Sequence, residues 1–170
     1  MKKQKHRGAS EIPGLIADLG DDSTKIREYA RHVLVAMGQT AVEPLMGALV
    51  ESNEYGRGQA AKALGEIGDP ATLPALIHAL EDEKFDVRWL AAKAIVPFGR
   101  EGLMVLLRAL IEHSESSLLR QSAHHVLHDE AHEKWSAQLA PVKNALECSD
   151  PENALPGAAA NVLKLLAASK

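Results

Sequence analysis

Cysteine is almost missing from this sequence: Cys148 stands alone, which excludes an internal disulfide and a cysteine-based zinc module. Aromatic side chains are scarce as well, with two each of Trp, Tyr and Phe. Any core must therefore be aliphatic, built from Leu, Ala, Val and Ile. No apolar run approaches the roughly 20 residues that a bilayer span requires. An excess of positive charge is also lacking. The formal net charge is −4 and the pI is near 6.1, against the basic face that a DNA-wrapping protein carries. There is no Gly-x-x-x-x-Gly-Lys-Ser/Thr loop and no Gly-x-Gly-x-x-Gly turn after a strand. What remains is ordinary for a globular chain, 46% hydrophobic and 25% charged over 170 residues, a length that suits one domain.

Met1 to Ala9 carries Lys2, Lys3, Lys5 and Arg7, then passes directly to Ser10, Glu11 and Ile12. A secretory signal would follow such charges with about 7–15 apolar residues. Their absence gives a cytoplasmic expectation, with residues 1–9 as a frayed, solvated basic tail. Residues 10–170 are expected to form one domain. The chain outside the tail has 15 basic against 23 acidic residues.

The sequence repeats. Leu15, Leu45, Leu76 and Leu106 recur at steps of 30, 31 and 30 residues. Ile16, Met46, Ile77 and Leu107 keep that step, as do Leu19, Leu49, Leu80 and Leu110. Two residues later an acid follows each time, at Asp21, Glu51, Asp82 and Glu112. Next come Arg27, Arg57, Arg88 and Arg120, then Ala30, Ala60, Ala91 and Ala123, then Leu34, Leu64, Ile95 and Leu127. A fifth, divergent copy places Val142, Leu146, Ala159 and Leu163 in the equivalent positions after an insertion.

Each copy reads as two helices. Leu76, Ile77 and Leu80 stand at i, i+1 and i+4, a helical stripe rather than strand alternation. Thr40 with Glu43 and Ser149 with Glu152 fit capping boxes. Asp69-Pro70 and Asp150-Pro151 fit an N-cap acid followed by a first-turn proline. Gly38, Gly68 and Gly99 sit where a left-handed residue would close the second helix, and the fourth copy has Ala131 there. Gly56-Arg57-Gly58 reads as a loosened helix start. An isolated pair leaves its apolar face uncovered, whereas stacked pairs share a continuous core. The alanine column permits close approach within that stack. The expected copies are residues 11–38, 40–68, 69–99, 101–130 and 131–168.

The run from Leu73 to Ile95, LPALIHALEDEKFDVRWLAAKAI, resembles a HEAT repeat. It is most similar to the short class named after phycobilisome lyases, and the resemblance covers roughly residues 11–168. It implies an all-α, right-handed α-solenoid, a HEAT-like or armadillo-type superhelix of about five helical hairpins. It also implies a structural ladder between copies, in which the acid of the inter-helix turn meets the following arginine. Asp82 and Arg88 fit that motif best, and Asp21/Arg27, Glu51/Arg57 and Glu112/Arg120 fit more loosely. A shared fold does not name an activity. By the same resemblance the second helices line the concave surface.

At about 100° per residue, Ala30, Val33 and Leu34 face the core and Glu28 and His32 point away. The equivalent positions are Gly58 and Lys62, Trp89 and Lys93, and Gln121 and His125. These define a mildly basic column with an exposed aromatic, an anchor type frequent at interfaces. The expected partner surface is Glu28, His32, Lys62, Trp89, Lys93, Gln121 and His125. The partner is expected to be another protein, presenting an acidic or amphipathic segment. The plain alternative is a solvated face whose tryptophan leans on its neighbours.

Five of the eight histidines fall between positions 113 and 132: His113, His124, His125, His128 and His132. His124 and His128, at i and i+4, can present both imidazoles to one divalent ion. His132 would extend the row if the helix continued, with Asp129 and Glu133 as oxygen donors. The repeat pattern instead ends the helix near His128, which favours a plain pH-responsive polar surface.

Deoxyhypusine hydroxylase, a HEAT-like enzyme, is known for His-Glu pairs on several equivalent helices. Here only His132-Glu133 is such a pair, and it lies in the insertion, so that activity is rejected. The repeat class keeps a bilin lyase-like or chromophore-related role open. Cys148 lacks a positioned base and reads as inert. Two lysines and two histidines give too little positive charge for a glycosylase-like grip on DNA. The reading is a non-catalytic interaction scaffold with no cofactor and no membrane segment, monomeric or weakly dimeric through the apolar arc of the last helix. A metal-dependent activity at His124, His125 and His128 is its competitor.

Overall fold

The computed structural model describes residues 11–168; the basic tail, 1–9, lies outside the described residues. The described chain is helical and, within it, strand-free. The helices are α1 (Ile12–Asp18), α2 (Thr24–Met37), α3 (Gln39–Glu51), α4 (Glu54–Ile67) and α5 (Leu73–His78). They continue as α6 (Phe85–Ile95), α7 (Arg100–Glu112), α8 (Ser117–Leu127), α9 (Ser136–Glu147) and α10 (Pro151–Ala168). Short 3-10 turns at Pro70–Thr72, Ala79–Glu81, Val96–Phe98 and Glu130–Trp135 join some of them. No helix among the described residues is long and apolar enough to cross a membrane.

The repeat columns become layers. Second helices α2, α4, α6 and α8 stack in order on one side, and on the other the first helices pack as α1 on α3 and α5 on α7. This is an α-solenoid with one contiguous aliphatic core from Ile12 to Leu166. Ala30, Ala60, Ala91 and Ala123 are fully buried, which lets neighbouring second helices approach closely. The approach is tightest between α4 and α6. A Cβ on Gly65 would lie 2.8 Å from both Cα and Cβ of Ala94, and one on Gly58 would lie 2.8 Å from Leu90 Cδ1. The expected loosened start at Gly56-Arg57-Gly58 is therefore corrected: Gly58 is buried within a regular helix, as a packing residue.

Gly38, Gly68 and Gly99 all have positive φ, at 59°, 73° and 56°. Only Gly68 lies in the left-handed helical well; Gly38 and Gly99 turn at ψ near −130° and −124°. Asp69 caps as expected, its Oδ1 accepting from Ala71 N at 2.9 Å. The capping box at Thr40 does not form. With Gly38 already turning the chain, α3 begins at Gln39 and the Thr40 hydroxyl donates to the Met37 carbonyl. Ser149 likewise lies outside the α10 cap, since Asp150 immediately precedes the helix and holds the Asn153 side chain.

Each column arginine turns back onto its own inter-helix turn. Arg27 donates to the Asp21 carbonyl, Arg57 to Ser52, Arg88 to Asp82 and Arg120 to Ser114. A helix end leaves carbonyls without intrahelical partners, and the guanidinium supplies several donors at once. Polar links also cross between copies, but they vary. Asn53 Nδ2 donates to the Gly20 carbonyl at 2.8 Å. Arg57 grips Asp82 in a two-pronged pair at 2.6 and 2.9 Å. Ser122 donates to the Leu80 carbonyl at 2.7 Å. Arg120 approaches Glu152 at 3.8 Å. The acid Asp82 thus answers the arginine of the preceding copy, while Arg88 of its own copy takes its backbone carbonyl.

The fifth pair exchanges the layers. Its first helix, α9, packs on second helix α8, and its second helix, α10, packs broadly on first helix α7. The cause lies in the insertion. Helix α8 stops at Leu127 with His128 in a non-helical cap and no glycine. Asp129 then caps Ala131 N, His132 binds the Val126 carbonyl, and Trp135 joins the core edge. Val142 and Ala159 are fully buried, and Leu146 and Leu163 pack against the core, as the earlier columns require, but in exchanged layers. Leu155, Val162 and Leu166 are buried, so α7 and α9 cover much of the apolar arc of α10.

Two stability outcomes follow. Gly65→Ala gains the helix propensity of alanine, about 1 kcal/mol, but must push the α4 and α6 backbones apart, an overpacking cost of about 1–3 kcal/mol. It should lower the melting temperature, whereas Gly47→Ala, whose Cβ meets nothing within 4 Å, should raise it. Calorimetry of the two variants checks the opposite signs. For Asp82, burial alone would raise the carboxyl, but Arg57 and the Lys84 amide outweigh it and hold the pKa below the ordinary value. A depressed carboxyl stabilises the fold above the unfolded value, about 4, and that contribution fades as pH falls through the folded value. Urea midpoints of wild type and Asp82→Asn should differ clearly at neutral pH and converge in acid.

Candidate functional site

The stacking of second helices sets equivalent outward positions side by side, and the structure divides the expected surface. Trp89, Gln121 and His125 line a groove of about 430 Å³ between α6 and α8, together with Phe85, His124 and Leu146. Lys93 stands beside it, its Nζ 5.9 Å from the Trp89 ring centre. Glu28, His32 and Lys62, on α2 and α4, do not line this groove.

The groove wall is aromatic. Trp89 meets His125 edge-on at 5.0 Å, and Phe85 meets the same imidazole edge-on at 6.2 Å. Both remain open to solvent, Trp89 at 40% and Phe85 at 56%. Phe85 and Trp89 are one helical turn apart, a spacing visible in the sequence. A second depression, of about 290 Å³, lies between α4 and α6 and is lined by Tyr55 and Phe85 among others. Tyr29, Tyr55, Phe85 and Trp89, four of the six aromatic residues, are exposed and all stand on second helices.

The charges on this face are largely engaged. Lys93 Nζ donates to Asp129 Oδ2 at 2.7 Å. That bond, with the Ala131 amide, holds the Asp129 carboxyl below its usual range. Arg31, buried, reaches Gln59 at 3.1 Å and Glu66, and donates to His32 Nε2 at 3.1 Å. Accepting from a guanidinium requires that nitrogen to be unprotonated. The mildly basic column is therefore clasped at two of its four positions.

His124 and His128 stack at 4.0 Å with an interplanar angle of 22°. The His128 Nδ1–H donates to the His124 carbonyl at 3.0 Å. The third donor comes from α9, not from the insertion: Glu147 Oε1 lies 3.8 Å from His124 Nε2. Donor atoms of His124, His128 and Glu147 all lie within 4.8 Å of one another. The expected row through His132 is corrected. His132 is 1% exposed, its Nδ1–H donates to the Val126 carbonyl at 2.8 Å, and its Nε2 is buried without a hydrogen-bond partner. The end of α8 at Leu127 turns the chain inward before position 132. Burial, then the neighbouring His128, holds the His124 imidazole below its ordinary pKa, against the opposing pull of Glu147.

Leu146 and Glu147 join this face because the last pair exchanges layers, which sets α9 beside α8. Leu146 packs against the core, as its repeat column implies, and lines the groove as well.

The model of the HEAT repeats family matches residues 12–78 and 42–128, ending at His128, where the regular layering also ends. Among curated proteins, the chain is similar to the phycocyanobilin lyase subunit beta of Thermosynechococcus vestitus. The two are 39% identical over 85 residues, 49% of this chain and 40% of that protein. It is also similar to the phycocyanobilin lyase subunit alpha of the same organism, 36% identical over 93 residues, 45% of this chain and 34% of that protein. Each match spans less than half the length of the relative. Repeat register, helical layering and family match agree, and the chain belongs to the HEAT-repeat family.

Proposed function

We propose that this HEAT-repeat chain is a non-catalytic binding module that takes an amphipathic segment of a partner protein across its second-helix face. The observation that carries the proposal is the display of Tyr29, Tyr55, Phe85 and Trp89 on that face of a protein with only six aromatic residues. Large aromatic side chains held in water along one layer of helices suit an interaction surface. Aromatic anchors set in a groove are the type that dominates binding energy. Apolar residues of the segment would lie on the Phe85–Trp89 wall, and acidic ones near Arg88 and Arg120, which also line the groove. Glu28, His32 and Lys62 would form the distal rim. Relatives named as lyase subunits support a protein that works in company with another chain.

A second reading has its own support. The relatives are named as phycocyanobilin lyase subunits, and the groove sets Arg88, Arg120 and His125 beside an aromatic wall. Guanidinium groups suit the carboxylates of an open-chain tetrapyrrole.

Trp89→Ala should weaken partner binding by about 2 kcal/mol, roughly thirtyfold, while Lys62→Ala at the rim should change it little. Capture from native lysate with wild type and Trp89→Ala identifies the partner, and titration of the purified pair measures the loss. Equal affinity for both proteins would remove the groove from the interface. Adding phycocyanobilin to the purified chain tests the second reading, since a bound bilin alters its visible absorption and Trp89→Ala should abolish the change.

A further inference from the structure

We infer that His124, His128 and Glu147 form a binding site for one divalent transition-metal ion of the zinc type, at the rim of the α6–α8 groove. This goes beyond the binding-module reading and does not depend on it. Three observations converge. Side chains from two helices bring two imidazole nitrogens and a carboxylate oxygen within 4.8 Å of one another. Tetrahedral zinc with bonds near 2.0–2.1 Å holds its ligand atoms about 3.4 Å apart. The remaining closure is within the swing of three exposed side chains, Glu147 above all.

The second observation is the state of His128. Its Nδ1–H is committed to the His124 carbonyl at 3.0 Å. That bond fixes the tautomer and leaves the Nε2 lone pair free, the arrangement by which metal-bound histidines are commonly oriented. Third, the His124 and His128 rings stack face to face at 4.0 Å. The stack keeps both imidazoles on the side of α8 that Glu147 of α9 approaches, with all three donor atoms within 4.8 Å of one another.

The donor set selects the ion. Two imidazoles and one carboxylate suit zinc, cobalt or nickel, whereas calcium and magnesium require shells of oxygen. Three protein ligands leave a position open, and His124 itself lines the groove. A bound ion would therefore lie next to whatever occupies the groove. Lys143, one turn before Glu147, also bears on His124 with its positive charge and opposes the ion.

The test uses the untagged full chain and the metal alone. Zinc chloride is titrated calorimetrically, and cobalt(II) is followed by its visible absorption. Wild type should take one ion per chain and give the intense bands of tetrahedral cobalt. His124→Ala and His128→Ala should abolish binding, and Glu147→Gln should weaken it and alter the cobalt spectrum. Lys143→Gln should bind more tightly, and His113→Ala, outside the cluster, should match wild type. Circular dichroism confirms the fold of each variant. Should either histidine variant fail to fold, Glu147→Gln and Lys143→Gln carry the test by their opposite shifts in affinity. Saturable binding retained in the folded His124→Ala/His128→Ala double variant, or no saturable binding by wild type, would overturn the site. Neither result bears on Trp89 and its partner.

Discussion

The structure depends on how closely successive second helices approach. Every other feature of the second-helix face follows from that spacing. Ala30, Ala60, Ala91 and Ala123 sit at the contact line with no exposed surface, and Gly58 and Gly65 remove even the methyl group between α4 and α6. Larger side chains there would part the helices and open the aliphatic core to water, at the cost that accompanies overpacking. Because each pair touches mainly its neighbours, no distant contact compensates for a poor junction. The groove is the reverse of the same rule. It forms where α6 and α8 carry Trp89, Gln121 and His125 outward of the alanine line instead of small residues.

Polar chemistry serves the stack in two distinct ways. The arginine column is local: each guanidinium satisfies carbonyls at the turn preceding its own helix. This work recurs in each of the four regular copies, which explains why arginine recurs in the sequence. The bonds between copies are individual. An asparagine joins the first two, an arginine–aspartate pair the next, and a buried serine the next. No common polar column is needed there, since the apolar stack already sets the register.

The fold was legible because a repeat of 30–31 residues shows the same burial demand in each copy. Column-by-column agreement exposed the core leucines, the close-packing alanines and the positive-φ glycines without any long-range information. The site was only partly legible. Trp89, Gln121, His124, His125 and His128 are found by helical phase, but Phe85 required noticing that it precedes Trp89 by one turn. Leu146 and Glu147 were hidden by the assumption that copy five repeats the order of the others. That order depends on where His132 and Trp135 fold in the Glu130–Trp135 turn, a tertiary event with no periodic signature. His132 reads as a surface ligand by spacing and is instead a buried residue tied to the Val126 carbonyl. Thr40 fails as a cap for a similar reason: Gly38 had already turned the chain.

The junctions are not mechanically equal. Between α4 and α6 backbone lies against backbone, with Gly65 against Ala94. That joint resists bending, because any rotation drives unyielding main-chain atoms together. Between α6 and α8 the alanine line is also closed, but outward of it the helices meet through rings beside an open groove, and Lys93 of α6 pairs with Asp129 just beyond α8. A larger side chain at the α4–α6 joint must therefore displace backbone, whereas a change on the groove wall can be taken up by side chains alone.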